Sequence, residues 1–95
     1  MPRCLIVSDE PTQRTAMREA CSGIDADPAE AEDALVARRV VATLWPDLVL
    51  IGGVRPGASW LKTLPQPWQE VTELPGGGTA PQGIRAFVHA GPAAD

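Results

Sequence analysis

Arg3-Cys4-Leu5-Ile6-Val7-Ser8-Asp9-Glu10-Pro11 is the stretch on which the rest of the chain is read. Four consecutive apolar residues, Cys4 to Val7, stop abruptly at polar ones, as in a strand covered on both faces within a parallel sheet. Asp9 and Glu10 then stand before Pro11, which suits a first helical position because its missing N–H would have no intrahelical partner there. From Thr12 onward Met17, Ala20, Cys21 and Ile24 recur at helical spacing, and Gly23 can end that helix.

Moving outward, Asp27-Pro28-Ala29-Glu30 reads as a second helix start, with Asp27 as cap, Pro28 at the first helical position and Glu30 closing a capping box. Ala34, Ala37, Val41 and Leu44 continue as its apolar stripe, Arg38 and Arg39 face solvent, and Pro46 stops it. Leu48-Val49-Leu50-Ile51 is a second buried strand, closed by Gly52-Gly53 and then Pro56-Gly57. Two parallel strands joined through two helices need a strand between them. The segment Ser22 to Asp27 is left for it, poor in apolar residues and fit for a sheet edge.

The 95 residues suffice for one small core, and 44% apolar with 21% charged residues is a globular mixture. Twelve acids against eight bases leave a net charge of −4, which argues against a general grip on nucleic-acid phosphates. The apolar run near the N-terminus is too short for a signal peptide and no stretch is long enough to span a membrane, so a cytoplasmic protein is expected. Cys4 and Cys21, 17 positions apart, suggest neither a zinc site nor a disulfide scaffold. They read as small buried hydrophobes.

Composition changes near Pro56-Gly57. Residues 1–57 hold nine acids and six bases with nine Pro or Gly, whereas 58–95 hold three acids and two bases with ten Pro or Gly. Two regions follow: an α/β core over 1–57 and a Pro/Gly-rich remainder over 58–95, expected to be partly ordered. The remainder is assigned a short helix at Ser59 to Leu64, a strand at Glu70 to Leu74, and a helix at Gln82 to Ala90 with Ile84, Phe87 and Val88 as its apolar face.

The order of these motifs resembles the receiver domains of bacterial response regulators, the CheY-like fold. Cys4-Leu5-Ile6-Val7-Ser8-Asp9-Glu10-Pro11 is similar to their first strand and acidic pocket, Glu32-Asp33-Ala34-Leu35 to the entry of their second helix, and Pro46-Asp47-Leu48-Val49-Leu50-Ile51 to their third strand. The resemblance covers residues 3–57. It implies an open parallel sheet of flavodoxin/CheY-like type, incomplete here because the chain ends before a final strand and helix.

The departures bear on function. Where the family carries its phosphoacceptor aspartate this chain has Gly52, and where it carries the first of two acids this chain has Ser8. Asp9 remains as a metal-binding carboxylate, with Glu10 after it and a backbone carbonyl near Val54, so at most weak Mg²⁺ binding is implied. Thr72 and Thr79 are the candidates for the family's switch hydroxyl, and its lysine has no counterpart. The resemblance thus implies a degenerate, non-enzymatic receiver, a phosphorylation-independent module for protein partners in two-component signalling, either a second copy or another signalling protein.

Plainer readings stand beside these. Asp9 and Glu10 can serve as first-turn acids of a helix, Gly52-Gly53 as a tight turn, His89 as a surface histidine, and the acids Asp25, Asp27, Glu30, Glu32 and Asp33 as a solvated edge. Two other functional readings are open: a decayed or frameshifted response-regulator fragment without activity, and a small α/β ligand-binding protein or enzyme using the crevice at Asp9 and Gly52.

Overall fold

A computed structural model of the chain describes residues 3–23, 27–52, 58–64, 67–75 and 77–89. The elements run β1 (Arg3–Val7), α1 (Pro11–Gly23), β2 (Asp27–Ala31), α2 (Ala34–Leu44), β3 (Leu48–Gly52), a 3-10 turn (Ser59–Thr63), β4 (Trp68–Val71) and β5 (Ile84–His89). Five strands form one sheet in the order β2-β1-β3-β5-β4. β1 pairs parallel with β2 and β3, while β5 runs antiparallel to both β3 and β4. The protein is a small α/β domain with a mixed sheet, which corrects the all-parallel expectation. The sheet also crosses the compositional boundary near Gly57, drawing strands from both regions.

β1 and β3 lie in the middle of the sheet, and Cys4–Val7 and Leu48–Gly52 are buried without interruption. The absence of alternation is explained by cover on both faces. On one face Cys4, Ile6, Leu48 and Leu50 pack with Met17 and Cys21 of α1. On the other, Leu5, Val7, Val49 and Ile51 pack with Ala37 and Val41 of α2 and with Trp60 and Leu61 of the 3-10 turn.

The second helix begins later than the local sequence predicts. Residues 27–31 form an edge strand in register with β1, Arg3 opposite Asp27 and Val7 opposite Ala31, whereas the expected strand was at 22–27 and the expected helix start at Asp27. Ladder pairing to a buried strand outweighs a local capping pattern, and the edge position tolerates Pro28 and its missing donor. Asp33 is the cap: its carboxylate accepts from the Val36 N–H at 2.9 Å. α2 closes at Trp45, whose left-handed backbone (φ 52°) aims its N–H at the Val41 carbonyl. Pro46 follows, and it disfavours a helical conformation at the residue before it.

Arg3 ties this corner together. Its N–H donates to Asp47 Oδ2 at 2.9 Å, its guanidinium to the Leu44 carbonyl at 2.9 Å, and its carbonyl accepts from the Asp47 N–H at 2.8 Å. One residue thereby satisfies a helix C-terminal carbonyl and joins the starts of β1 and β3.

Beyond β3 the 3-10 turn at Ser59–Thr63 agrees with the short helix expected there, and the strand expected at 70–74 is found at Trp68–Val71. The stretch 82–90, expected as a helix, is instead strand β5. Ile84, Phe87 and Val88 satisfy a helical stripe, but Ala86 is buried too. Ile84, Ala86 and Val88 face α1 while Phe87 faces α2, the period-two pattern of a strand inside a sheet. Gly83, at φ +83°, supplies the turn into it. The chain passes from β3 to β4, which runs in the same direction, and β5 returns between them. Val54, Gly53, Pro56-Gly57 and residues 90–95 lie outside the described residues, as do Ile24, Asp25 and Ala26.

Candidate functional site

The carboxyl ends of β1 and β3 meet where an open α/β sheet usually places its ligand, and Ser8 and Gly52 lie there. Ser8 is fully buried. Its N–H donates to the Ala31 carbonyl at 3.1 Å, its hydroxyl donates to Gln13 Oε1 at 2.9 Å, and Ser8 Oγ accepts from the Glu10 N–H at 3.0 Å. Arg14 adds a 2.7 Å hydrogen bond to the Ser8 carbonyl. A serine in this place therefore organises the turn from β1 into α1 and has its hydroxyl fully engaged.

Gln13 fills the crevice. A Cβ placed on Gly52 would stand 2.8 Å from Gln13 Oε1, 3.1 Å from its Cδ and 3.2 Å from Met17 Cε. Any side chain at position 52 must push Gln13 away from Ser8, and an aspartate there would bring its charge against an amide oxygen. Glycine thus leaves the space that Gln13 takes up, a reason that the motif alone does not reveal.

Asp9 and Glu10 are both exposed. The Glu10 carbonyl accepts the Arg14 N–H at 3.1 Å, the first bond of α1, so Glu10 acts through its backbone. No group of three or more His, Cys, Asp or Glu side chains converges among the described residues. Asp9 thus belongs to no such group among the described residues, and Val54 lies outside them. Thr72 and Thr79 are exposed on the connection from β4 to β5, where the Thr72 carbonyl accepts from the Ala80 N–H and Thr79 bridges Glu73. The structure brings Ser8 and Gly52 together and adds Gln13, which the sequence reading did not single out.

A second concavity lies elsewhere. Between the 3-10 turn and the hairpin of β4 and β5 there is a groove of about 680 Å³, with Leu61, Leu64, Trp68 and Phe87 on its walls and Lys62 and Arg85 beside them. Arg85 is committed to Glu70 across the hairpin, through 2.9 and 2.8 Å hydrogen bonds, and its guanidinium lies 5.3 Å from the Phe87 ring centre. That pairing holds the Glu70 carboxyl below its ordinary range and raises Arg85 further. At the far end of β5, His89 is half-buried rather than a plain surface residue, its ring 4.4 Å from that of Trp68 and 6.4 Å from that of Trp45. Sequence spacing gave no signal for this grouping, because the three rings come from a helix end and two paired strands.

No helix among the described residues is long and apolar enough to cross a membrane. No family model matches the chain, and neither a curated protein nor a solved structure does.

Proposed function

We propose that the chain is a receiver-like domain that has given up phosphoryl transfer and serves as a phosphorylation-independent protein-interaction module. The observation that carries this reading is the Gln13 amide lodged over Gly52 and hydrogen-bonded to Ser8. A phosphoacceptor site needs a carboxylate at the strand end and room for a metal and an incoming phosphoryl group. Here that space holds an amide oxygen, and the neighbouring hydroxyl is already used.

The order β2-β1-β3 with two intervening helices supports the receiver-like part of the reading. The antiparallel β5 departs from the family and moves the expected docking surface away from the one the resemblance implies. Leu35, Val36 and Trp45 are large apolar side chains left exposed at the two ends of α2, and they supply apolar contact area for a protein partner. Trp60, Leu61, Leu74, Ile84 and Phe87 from the second region are all buried, which favours one co-evolved domain over an eroded tail.

Incubation with a small-molecule acyl phosphate and Mg²⁺, followed by intact-mass measurement at neutral pH, is expected to leave the mass unchanged. A phosphoryl adduct on Asp9, or on any residue at the β1 and β3 ends, would refute the proposal.

A further inference from the structure

Cys4 and Cys21 are separated by 17 positions, yet the fold sets them face to face. Cys4 lies on the α1 side of β1, and Cys21 lies on the sheet side of the last turn of α1. Both are free thiols with no solvent exposure, and their sulfur atoms are 2.6 Å apart. Ile6, Met17, Leu48 and Leu50 belong to the same cluster. No third His, Cys, Asp or Glu joins the pair among the described residues, so it lacks the further ligands a zinc ion requires.

We propose that Cys4 and Cys21 form an oxidant-responsive dithiol, converted by a small peroxide into an intramolecular disulfide that pins α1 to β1. In the first step the Cys21 thiolate attacks one oxygen of hydrogen peroxide. The O–O bond breaks, Cys21 becomes a sulfenic acid, and hydroxide leaves and takes up a proton as water. In the second step the Cys4 sulfur attacks the sulfenic sulfur, the S–O bond breaks, and the Cys4 proton leaves with the hydroxyl as a second water. Two thiols have lost two electrons in total, and one peroxide has accepted them.

The position of Cys21 in α1 sets the order of these steps. The hydrogen bond between the sulfurs, together with burial, raises the Cys4 thiol far above its ordinary range, and the same hydrogen bond lowers Cys21. In the proposed order Cys21, the sulfur nearer the helix end, reacts first and Cys4 is the resolving thiol. Cys21 also lies two residues from the exposed end of α1, where Gly23 has open space around its Cα. Helix ends open locally at low free-energy cost, which gives a molecule as small as peroxide its way in. Because α1 also carries Gln13, the disulfide would lock in place the helix whose side chain fills the crevice at Gly52.

The test uses the full chain, reduced and then treated with stoichiometric hydrogen peroxide. The expected result is a monomer lighter by two hydrogens, with no alkylatable thiol after denaturation, one Cys4–Cys21 linked peptide, and a melting temperature raised by on the order of 10 °C. Reduction with a dithiol should restore both thiols and the original melting temperature. In Cys4→Ala the same treatment should add oxygen to Cys21 without raising the melting temperature. Two alkylatable thiols persisting in the treated wild-type chain, a linkage only between chains, or oxygen added to both sulfurs without a bond between them would each overturn the proposal, whether or not the variant folds.

Discussion

The half of the sheet built from β2, β1 and β3 and the half built from β5 and β4 solve the same burial problem in different ways. The first lies under two full helices, so its central strands are buried without interruption from Cys4 to Val7 and from Leu48 to Gly52, and the crevice at their ends is occupied by the Gln13 side chain. In the second, a five-residue 3-10 turn shares the cover of one face with α2, and an irregular connection shares the other with α1. β4 consequently is half-buried only at its two ends, Trp68 and Val71, with Gln69 and Glu70 exposed between them, and it borders a groove. Helical cover gives a saturated core, whereas partial cover leaves concave surface. The comparison places the fully covered part of the sheet at β1–β3 and the open concave surface at β4–β5.

The largest expected effect comes from truncating the same residue type in each half. Val49→Ala in β3 removes fully buried methyl groups and should cost about 2–3 kcal/mol of unfolding free energy, while Val71→Ala in half-buried β4 should cost about 1 kcal/mol or less. Urea titrations of both variants measure the ratio. Equal losses would break the distinction between the two halves.

An intermediate effect is expected at the start of α2. Asp33→Ala should cost about 1 kcal/mol, because it deprives the Val36 N–H of its acceptor, and Asp33→Asn should recover most of it. Thermal melts of the two variants check this, and a loss that falls at Asp27 instead would return the helix start to the position that local sequence suggests.

The smallest effect concerns the hairpin. The Glu70 carboxyl is held below its ordinary value of about 4.5 by Arg85, so its contribution to stability is full above that value and fades as pH falls through the lowered one. Both side chains are about half exposed, so the contribution is slight and screened by salt. Glu70→Gln should reduce the melting temperature slightly at neutral pH and low ionic strength, and not at all in strong acid or high salt. A loss at neutral pH that persists in molar salt would mean that the pair is packed more tightly than its exposure indicates.

The legibility of the chain followed the same divide. β1, α1 and β3 were readable because four- and five-residue apolar runs and a stripe at Met17, Ala20 and Cys21 have one physical interpretation each. β2 was misplaced because Asp27-Pro28-Ala29-Glu30 satisfies a helix start locally, and only the ladder offered by β1 makes it a strand. β5 was misread because positions 84, 87 and 88 fit both a helical stripe and a strand buried on two faces, and the burial of Ala86 that separates them depends on neighbouring strands. Within the site, Ser8 and Gly52 could be named from sequence, but Gln13 could not, since one helical glutamine carries no mark of the space into which it reaches.

The sequence by itself determined that the chain is a small α/β domain with two central strands buried on both faces, because uninterrupted aliphatic runs bounded by polar turns leave few other ways to hide their surface. Tertiary structure alone decided the antiparallel return of β5, the filling of the crevice by Gln13 and the meeting of Cys4 with Cys21. Each of these depends on contacts between residues distant along the chain, and the free energy of such contacts is set by what the rest of the fold brings alongside them.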